Sequence, residues 1–440
     1  MRPPDDFEQA DAPAERERRG EGGRNAPARW LRRLLVVGLL LGVSVRLSFS
    51  PLLSVFGGAW DHEPHELPSV LSPAARALLD DAFEGVDPAR LVDVHAHLAG
   101  IGTDGSGCEV NPRMRSWLHP VERTRFEFYL SSAGVTDLAR ADRQVAERLT
   151  ALAAHATPPI RVCLLAFDRH YDPDGTVDPE ATEFHVPNEW VWEVAGARPD
   201  LFVPAISVHP YRTDALTELD RWGERGVRLV KWLPNAMGID PSSERCDAYY
   251  ERLRRWDMTL LSHTGVEMAV ESTDDQRLGN PLLLRRALDA GVRVIAAHCA
   301  TLGTDVDLDH PERPRASSFD LFLRMMDEER YEGLLFGELS ATILVNRPAD
   351  RLRTLIERDD LHARLMFGSD YPMPAMNVLV HTGSFVRRGM LSAAEADALG
   401  ELYEVNPLLF DFALKRTLHL PGSERRFRPE AFEAPELLGL

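Results

Sequence analysis

Short apolar runs rich in β-branched residues alternate, from residue 91 onward, with longer segments in which apolar residues recur at helical spacing. This alternation predicts β/α units around a parallel sheet. The predicted strands are Leu91–Leu98, Arg161–Asp168, Leu201–Pro210, Val227–Leu233, Thr259–Thr264, Arg293–Ala300, Leu334–Ala341 and Arg364–Asp370. The predicted helices between them are Val145–His155, Ala215–Gly223, Asp247–Asp257, Asn280–Ala290, Ser318–Glu329 and Pro348–Arg358. Eight strands with intervening helices match a (β/α)8 barrel with insertions, which is an α/β fold.

An open, doubly wound sheet is the alternative arrangement of such units. It calls for a glycine-rich phosphate loop after the first strand, and we do not predict one there.

The first ninety residues lack the alternation. Residues 1–33 carry no apolar periodicity and predict a disordered tail. Residues 34–56 are largely apolar around Arg46 and reach about 20 residues, the length that spans a bilayer. We predict a single transmembrane anchor there, although Arg46 costs roughly 2.5–3.5 kcal/mol on insertion scales. A cleaved export signal is the alternative, and a segment that is neither also stays open.

Three arginines, Arg29, Arg32 and Arg33, precede the apolar segment. Positive charges stay on the cytoplasmic side, so we expect the tail in the cytoplasm and the barrel outside it. The other predicted parts are a linker with a short helix over 57–87, the barrel over 88–415 and a C-terminal extension over 416–440.

The composition and net charge of the chain limit the kinds of molecule that it is expected to bind. Hydrophobic residues make up 44% and charged residues 27%, which is ordinary globular usage. The formal net charge of −19 argues against a general affinity for nucleic acid or anionic lipid. The expected partners are a small-molecule substrate and, through the apolar segment, a membrane; homo-oligomerisation stays open.

The four cysteines, Cys108, Cys163, Cys246 and Cys299, show no CxxC spacing, which excludes a cysteine-built zinc site. A Cys108–Cys246 disulfide and four free thiols both stay open. Of the 50 basic residues only Lys231 and Lys415 are lysines.

Five predicted strands end in a residue that binds metals. Residues two apart in a strand share a face, so His95 and His97 enter the barrel together. The other strand-end residues are Lys231, His263, His298 and Asp370. The carboxyl ends of the strands are where barrel active sites form.

Four imidazoles and a carboxylate at one barrel mouth suit a divalent metal, zinc first of all, as one or two ions. A single histidine at a strand end is commonly a hydrogen-bonded loop residue, and a lone Asp after Gly-Ser is commonly a turn. The combined order on strands one, four, five, six and eight favours a metal site.

This pattern resembles the amidohydrolase superfamily, and more closely its amidohydrolase-related branch of TIM-barrel metal-dependent hydrolases. The resemblance covers about residues 88–415 and depends on five motifs: VDVHAH at 92–97, LVKWLP at 229–234, SHTG at 262–265, AAHC at 296–299 and FGSDYP at 367–372. Asn406-Pro407, followed by Leu-Leu-Phe, is similar to the closing helix motif of the family.

The resemblance implies that His95, His97, His263 and Asp370 are metal-site residues. It implies that His298 binds a second metal or polarises the substrate, and that Lys231 is the carbamylated bridging ligand of binuclear members. Many members of the branch are mononuclear and lack this lysine. The N-terminal apolar segment also departs from the family pattern.

The loops after strands two and three are expected to bind substrate. Asp168, His170 and His209 occupy strand-end positions and are our candidate substrate-binding residues, although solvated loop residues are the simpler interpretation. Glu338 on strand seven is a candidate for orienting a ligand histidine. Acidic spacing at 172–178 lacks the full EF-hand pattern, so we predict no calcium site. The insertion Ala99–Ser132 is a candidate lid.

The predicted function is hydrolysis of an amide, ester or lactone through a metal-activated water, with Asp370 and His298 as catalytic residues. A metal-dependent decarboxylase or hydratase of an organic acid is the alternative; it predicts a carboxylate-binding arginine and a single metal. A non-catalytic binding protein would be expected to have lost ligands, and none of the six positions is lost.

Overall fold

A computed structural model of the chain describes residues 57–58, 61–270, 272–434 and 438–439. All eight predicted strands are present, each trimmed at its ends because the terminal residues belong to loops. Their bounds are β1 Val92–His97, β2 Arg161–Leu165, β3 Phe202–Ile206, β4 Leu229–Trp232, β5 Thr259–Ser262, β6 Val294–Ala296, β7 Leu335–Glu338 and β8 Leu365–Met366.

The eight strands pair in parallel in the order of the sequence, from β1 to β8. The residues around β8 then bond back to β1: Val94 N–H donates to Phe367 O at 3.0 Å, and His97 N–H donates to Tyr371 O at 3.0 Å. The sheet therefore curls into a nearly closed barrel, and the open-sheet alternative is excluded.

Strand β1 changes its inward face partway along its length. Val92 and Val94 belong to the apolar cluster inside the barrel, whereas Ala96 packs in the outer cluster between strands and helices. The pairing with β2 shifts register between Asp93 and Ala96, as a β-bulge does. After this shift the odd-numbered residues, His95 and His97, face the barrel mouth.

The barrel interior is filled by apolar side chains from every strand. They are Val92, Val94, Cys163, Leu165, Ala205, Leu229, Leu261, Ile295, Phe336 and Met366, with Ala297 beyond β6. The C-terminal segment adds Ala434 and Leu438 to the same cluster, which closes one end of the barrel. Polar chemistry is therefore confined to the other end.

Helices surround the sheet and account for the larger outer core. They are α1 Leu67–Val70, α2 Pro73–Phe83, α3 Pro120–Ser132, α4 Ala141–Ala154, α5 Asn188–Ala197, α6 Ala215–Glu224, α7 Pro234–Met237, α8 Asp247–Arg255, α9 Arg285–Asp289, α10 Ser318–Met326, α11 Ala349–Glu357, α12 Thr382–Arg387, α13 Ala393–Tyr403 and α14 Pro407–Thr417. The six predicted barrel helices are confirmed, with Asn280–Ala290 divided into the 3₁₀ turn Pro281–Leu284 and α9. Helix α14 begins where the Asn406-Pro407 motif placed it, with Asn406 as N-cap.

The insertion after β1 forms a small subdomain. Its strand Glu109–Val110 pairs antiparallel with Phe184–His185, and Met114, Phe126 and Leu130 form its own apolar cluster. Helix α3 reaches the loop after β5, because Tyr129 Oη donates to Ala269 O at 2.8 Å.

Three glycines of this insertion, Gly100, Gly102 and Gly105, have the spacing of a dinucleotide-binding loop, so our expectation of no glycine-rich loop there was wrong. The Asp142 carboxylate occupies this loop and accepts from Ile101 N–H at 2.6 Å and Gly102 N–H at 3.1 Å. The residues that follow form a strand and not a helix. The N–H groups that a phosphate would use are thus already bonded.

The predicted tail, residues 1–33, and the apolar segment, residues 34–56, lie outside the described residues. Within the described ranges, no helix combines the length and apolar character needed to cross a bilayer. The short helix predicted within 57–87 is confirmed as α2, whose Ala75, Leu79 and Ala82 join the outer core. All four cysteines are buried and free, so the Cys108–Cys246 disulfide is not formed.

Candidate active site

Three predicted metal-site residues meet where β8 returns to β1. Asp370 Oδ1 lies 3.2 Å from His97 Nε2 and 3.6 Å from His95 Nε2. Asp370 N–H also donates to His95 O at 2.7 Å, so the two strand ends are held together by backbone. Burial raises the pKa of Asp370, but the hydrogen bond from His97 and the neighbouring imidazoles and Lys231 outweigh it and leave the pKa below its usual value.

Glu338 orients two of the histidines. Its Oε1 lies 3.0 Å from His95 Nδ1 and accepts the His298 N–H at 2.7 Å. With Nδ1–H donating to Glu338, His95 presents the Nε2 lone pair to the barrel mouth. The structure thus shows the contact that the sequence suggested for Glu338.

His298 follows β6 in a left-handed backbone conformation with φ 58°. Its Nδ1 lies 2.7 Å from Ser340 Oγ, which leaves Nε2 directed away from that contact. The imidazole ring of His298 lies 5.0 Å from that of His95 and 5.0 Å from that of His263, measured between ring centroids.

His263, at the end of β5, is buried with Nδ1 3.3 Å from Glu267 Oε2. Its Nε2 is buried and has no hydrogen-bond partner among the described residues. Burying an imidazole nitrogen without a partner, beside other imidazoles, costs free energy of folding unless a metal or a ligand binds it.

Lys231 lies at the centre of the cluster. Its side chain is completely buried, and Nζ is 3.1 Å from His95 Nε2. Burial lowers the pKa of Lys231 to about 8 in spite of the nearby carboxylates of Asp370, Glu338 and Glu267. The amine is therefore within reach of the same nitrogen that a metal would use.

These residues fit a divalent metal. Ligand atoms of His95, His298 and Asp370 lie within 4.8 Å of one another, and the free Nε2 of His263 adds a fourth donor. Imidazole and carboxylate donors are the set that zinc and similar ions prefer. The structure brings all six predicted metal-site residues to one barrel mouth; their individual roles stay predictions.

A second layer behind β8 positions Asp370. Lys415 Nζ, completely buried, donates to Gly368 O at 2.8 Å and lies 2.5 Å from Asp411 Oδ2. Asp93 Oδ1 accepts the N–H groups of His95 at 3.0 Å and Ser369 at 2.9 Å. Burial raises the pKa of Asp93 to about 7.

The three candidate substrate-binding residues form a separate group. Asp168 is buried and bonded to Arg212 at 2.9 Å, and His209 is buried with Nε2 2.8 Å from Met237 O and Nδ1 3.1 Å from Tyr211 N. The contacts of this group lead to the segments after β2, β3 and β4 and not to the cluster around Asp370. Their assignment to substrate binding stays a prediction.

His170 belongs to a second set of converging ligand atoms. One atom each of His170, Asp172 and Asp178 lies within 4.8 Å of the others, and Asp172 is exposed. Exposed acidic groups commonly adopt such arrangements without an ion.

Sequence reasoning missed Glu267 and Arg347. Glu267 stands four residues after His263, a spacing that could have revealed it. Arg347 lies in the long loop after β7, and nothing in its local sequence marks it.

The barrel and this cluster are those of a TIM-barrel enzyme with a candidate metal centre at the carboxyl ends of its strands. The sequence profile of the amidohydrolase family matches residues 92–378, so the chain belongs to the amidohydrolase family. An enzyme of this family binds a small-molecule substrate. No curated protein matches the chain.

Several solved structures are similar to the chain. An uncharacterized TIM-barrel protein from Bordetella bronchiseptica is 18% identical, with a TM-score of 0.43 over 71% of this chain and 96% of that one. A probable 2-pyrone-4,6-dicarboxylic acid hydrolase from Acinetobacter baumannii is 11% identical, with a TM-score of 0.42 over 72% and 96%. A 5-carboxyvanillate decarboxylase from Sphingomonas paucimobilis is 13% identical, with a TM-score of 0.40 over 66% and 92%. The fold assignment itself depends on the strand order and closure described above.

Proposed function

We propose that the protein is a metal-dependent hydrolase of a C–N or C–O bond in an amide, ester or lactone. The observation that carries the proposal is the convergence of His95, His298 and Asp370 at the carboxyl ends of the strands. Zinc is the ion we propose, because the donors are mainly imidazoles.

His95, His97, His263 and Asp370 would hold the metal, with His298 and Lys231 beside them. A divalent ion bound there lowers the pKa of water and polarises a carbonyl group. Asp370, whose lowered pKa keeps it ionised, accepts the proton of the attacking water and passes it to the leaving group. His298, held by Ser340 and by the Glu338 contact of its own backbone N–H, would place its Nε2 beside the metal and the substrate.

The test is a screen of amides, esters and lactones on metal-loaded protein, followed by Asp370→Asn on the best substrate. Turnover should fall by about a hundredfold or more, the scale of general acid–base catalysis. Asp305→Asn, at a buried carboxylate that accepts a hydrogen bond from Ser318 Oγ, is the matched control and should keep its turnover. Unchanged turnover in metal-loaded Asp370→Asn would contradict the proposal.

A lyase is the second candidate, and Arg347 favours it. Its positive charge contributes to lowering the pKa of both His263 and His298, so this arginine lies near the site, as an acid substrate would require. Product analysis separates the two functions: a hydrolase releases an amine or an alcohol, whereas a decarboxylase releases carbon dioxide and a hydratase adds water without cleavage.

We also propose that residues 34–56 anchor the chain in a membrane with the barrel outside the cytoplasm; export by a cleaved signal is the alternative. The support is the apolar length of the segment and the arginines that precede it.

A further inference from the structure

Three large apolar side chains are exposed close together in the insertion after β1. Trp117, Leu118 and Val121 are 62%, 88% and 68% exposed, and we call these three residues the Trp117 patch. Single exposed apolar residues are common on protein surfaces, whereas a group of them marks a surface that binds a partner.

The Trp117 patch lies at the start of helix α3, away from the core of the insertion. Phe126 and Leu130 pack in the apolar cluster of the subdomain. Val121 stands nine residues before Leu130, about two and a half helical turns, so it faces the opposite way. The guanidinium carbon of Arg123 lies 3.8 Å from the centroid of the Trp117 ring and holds that ring in place. The patch is therefore an ordered outer surface.

Arginines surround the Trp117 patch in a chain that is otherwise acidic. Residues 112–127 contain four arginines and two glutamates, a net charge of +2, whereas the whole chain carries −19. Arg123 Nη1 donates to Arg115 O at 2.7 Å, so the segment before α3 is tied to the first turns of the helix. Charges separated by more than about 8–10 Å are largely screened at physiological salt. The local positive charge therefore decides what approaches the patch.

The apolar segment 34–56 joins the barrel on the same helix. Gly57 directly follows that segment, and its carbonyl oxygen accepts a hydrogen bond from Ser131 Oγ at 2.6 Å. Residues 121–131 of α3 span about 15 Å. If residues 34–56 anchor the chain as proposed, the bilayer surface begins beside Gly57, and the Trp117 patch is about 15 Å along the helix from it.

Helix α3 also borders the barrel mouth. Arg125 Nη1 and Tyr129 Oη donate to Ala269 O at 3.2 and 2.8 Å. Ala269 belongs to the loop after β5, in which Glu267 lies against His263. A partner that binds the Trp117 patch is therefore held close to the entrance of the candidate active site.

We propose that the Trp117 patch docks on the surface of an anionic lipid bilayer. The ring of Trp117 suits the interfacial layer, where tryptophan is enriched, and basic side chains beside it are attracted to anionic lipid headgroups. A second copy of the chain is a poorer occupant, since a two-fold dimer through this patch would bring two equal positive charges together. The inference does not depend on the proposed reaction.

Quenching of tryptophan fluorescence by lipids with brominated acyl chains tests the docking on full-length protein. The chain has eight tryptophans, so the Trp117 signal is the difference between wild type and Trp117→Phe, which keeps the patch apolar. The vesicles contain brominated phosphatidylcholine, either alone or with an equal part of phosphatidylglycerol. The Trp117 signal should be quenched in the anionic vesicles and quenched less in the neutral ones. An unquenched Trp117, or equal quenching in both kinds of vesicle, would overturn the inference.

Leu118→Glu places a negative charge in the Trp117 patch and keeps Trp117 as the reporter. The quenching of Trp117, measured against the same variant with Trp117→Phe, should be lost. Leu308→Glu is the matched control, at an exposed leucine after β6, two strands away from β1 around the barrel, and it should keep the quenching. Quenching retained in Leu118→Glu overturns the inference.

Arg115→Gln tests the charge separately, and it decides if Leu118→Glu does not fold. The ratio of docked to undocked protein, read from the Trp117 quenching, should fall about fivefold, the contribution of one basic residue near an anionic surface. An unchanged ratio contradicts the docking. A Trp117 emission that shifts with protein concentration in the absence of vesicles would assign the patch to a second copy and overturn the inference.

Discussion

Lys231 presents an unusual pairing at the level of single residues: a completely buried amine 3.1 Å from the imidazole nitrogen that would bind a metal. An unmodified ammonium would repel a divalent ion there. A carbamate, formed when the neutral amine adds carbon dioxide, would attract it. Arginine cannot form this adduct, since the guanidinium stays protonated.

We therefore expect Lys231 to be carbamylated and to bridge two ions. Protein loaded in ¹³C-bicarbonate should show one carbamate carbon by NMR, and that signal should be absent from Lys231→Ala. Wild-type protein should bind about two metal equivalents and the variant fewer, with short carboxylic acids partly restoring occupancy. A single equivalent in both proteins, with bicarbonate present, would leave the mononuclear site.

His209 makes stability depend on pH. Burial lowers the pKa of His209 to about 4, so the folded protein keeps this ring neutral while the unfolded chain protonates it near pH 6.5. As pH falls from 7 to about 4, this residue alone removes roughly 3 kcal/mol from the free energy of unfolding.

His209→Gln should flatten the decline of the unfolding free energy below pH 6.5, as measured by urea denaturation at several pH values. His381→Gln, at an exposed histidine, is the control and should retain the wild-type slope. Equal slopes in all three proteins would refute the role of His209.

The candidate metal-site residues could be predicted because each lies at the end of a short apolar run, and parallel strands bring their carboxyl ends to one mouth. Arg347 could not, because its place near His298 depends on how the loop after β7 folds back to Thr301. Asp168 and His209 occupy strand ends as well, yet their polar atoms are bonded to Arg212 and to backbone. A strand-end position alone therefore does not distinguish a side chain that can bind a metal from one that is bonded to the protein itself.

At the level of elements, the pattern of apolar residues predicted six helices between strands and missed α3, α5, α12 and α13, besides the one-turn helices α1 and α7. Helix α3 buries only Phe126, Leu130 and Ser132, so its sequence carries no continuous apolar stripe. Helix α5 has tryptophans on more than one side, with Trp190 buried and Trp192 exposed. The bulge in β1 was equally invisible, since His95 and His97 both follow it and share a face with or without it.

Helix α14 contacts the segment that carries Asp370 through its buried residue Lys415. Lys415 neutralises Asp411 and holds the carbonyl of Gly368, two residues before Asp370. Removing one partner of a buried ion pair leaves the other charge uncompensated, at a cost of about 3–5 kcal/mol.

Lys415→Met should therefore lower the free energy of unfolding by about 3 kcal/mol or more in urea denaturation. The double variant Lys415→Met/Asp411→Leu removes both charges and should recover part of that loss. A single variant within about 1 kcal/mol of wild type, below the range for a broken buried pair, would show that the pair does not stabilise the fold.

At the level of the whole molecule, residues before and after the predicted barrel, 88–415, pack against it or bond to it. Leu67 and Leu71 are buried in the outer core, and Arg416 donates to Ala82 O at 2.8 Å and Phe427 O at 2.6 Å. The sequence could not reveal the contact between Arg416 and Ala82, because these residues are 334 positions apart.

Deleting residues 1–60 should leave a folded, soluble barrel, because Leu67 is the first residue of the outer core within the described ranges. The truncated protein should keep its melting temperature within a few degrees, and full-length protein should sediment with membranes. Full-length protein that stays in the soluble fraction with its N-terminus uncleaved would contradict the proposed anchor.

Both lysines of the chain are completely buried, one under the barrel mouth and one beneath β8. Amine-reactive dyes therefore find no side chain to label while the barrel is closed. When the barrel opens, the amines of Lys231 and Lys415, on two sides of Asp370, become accessible to the dye. Labelling with such a dye, followed by mass spectrometry, therefore measures the rate at which this protein opens, because only two lysines can react.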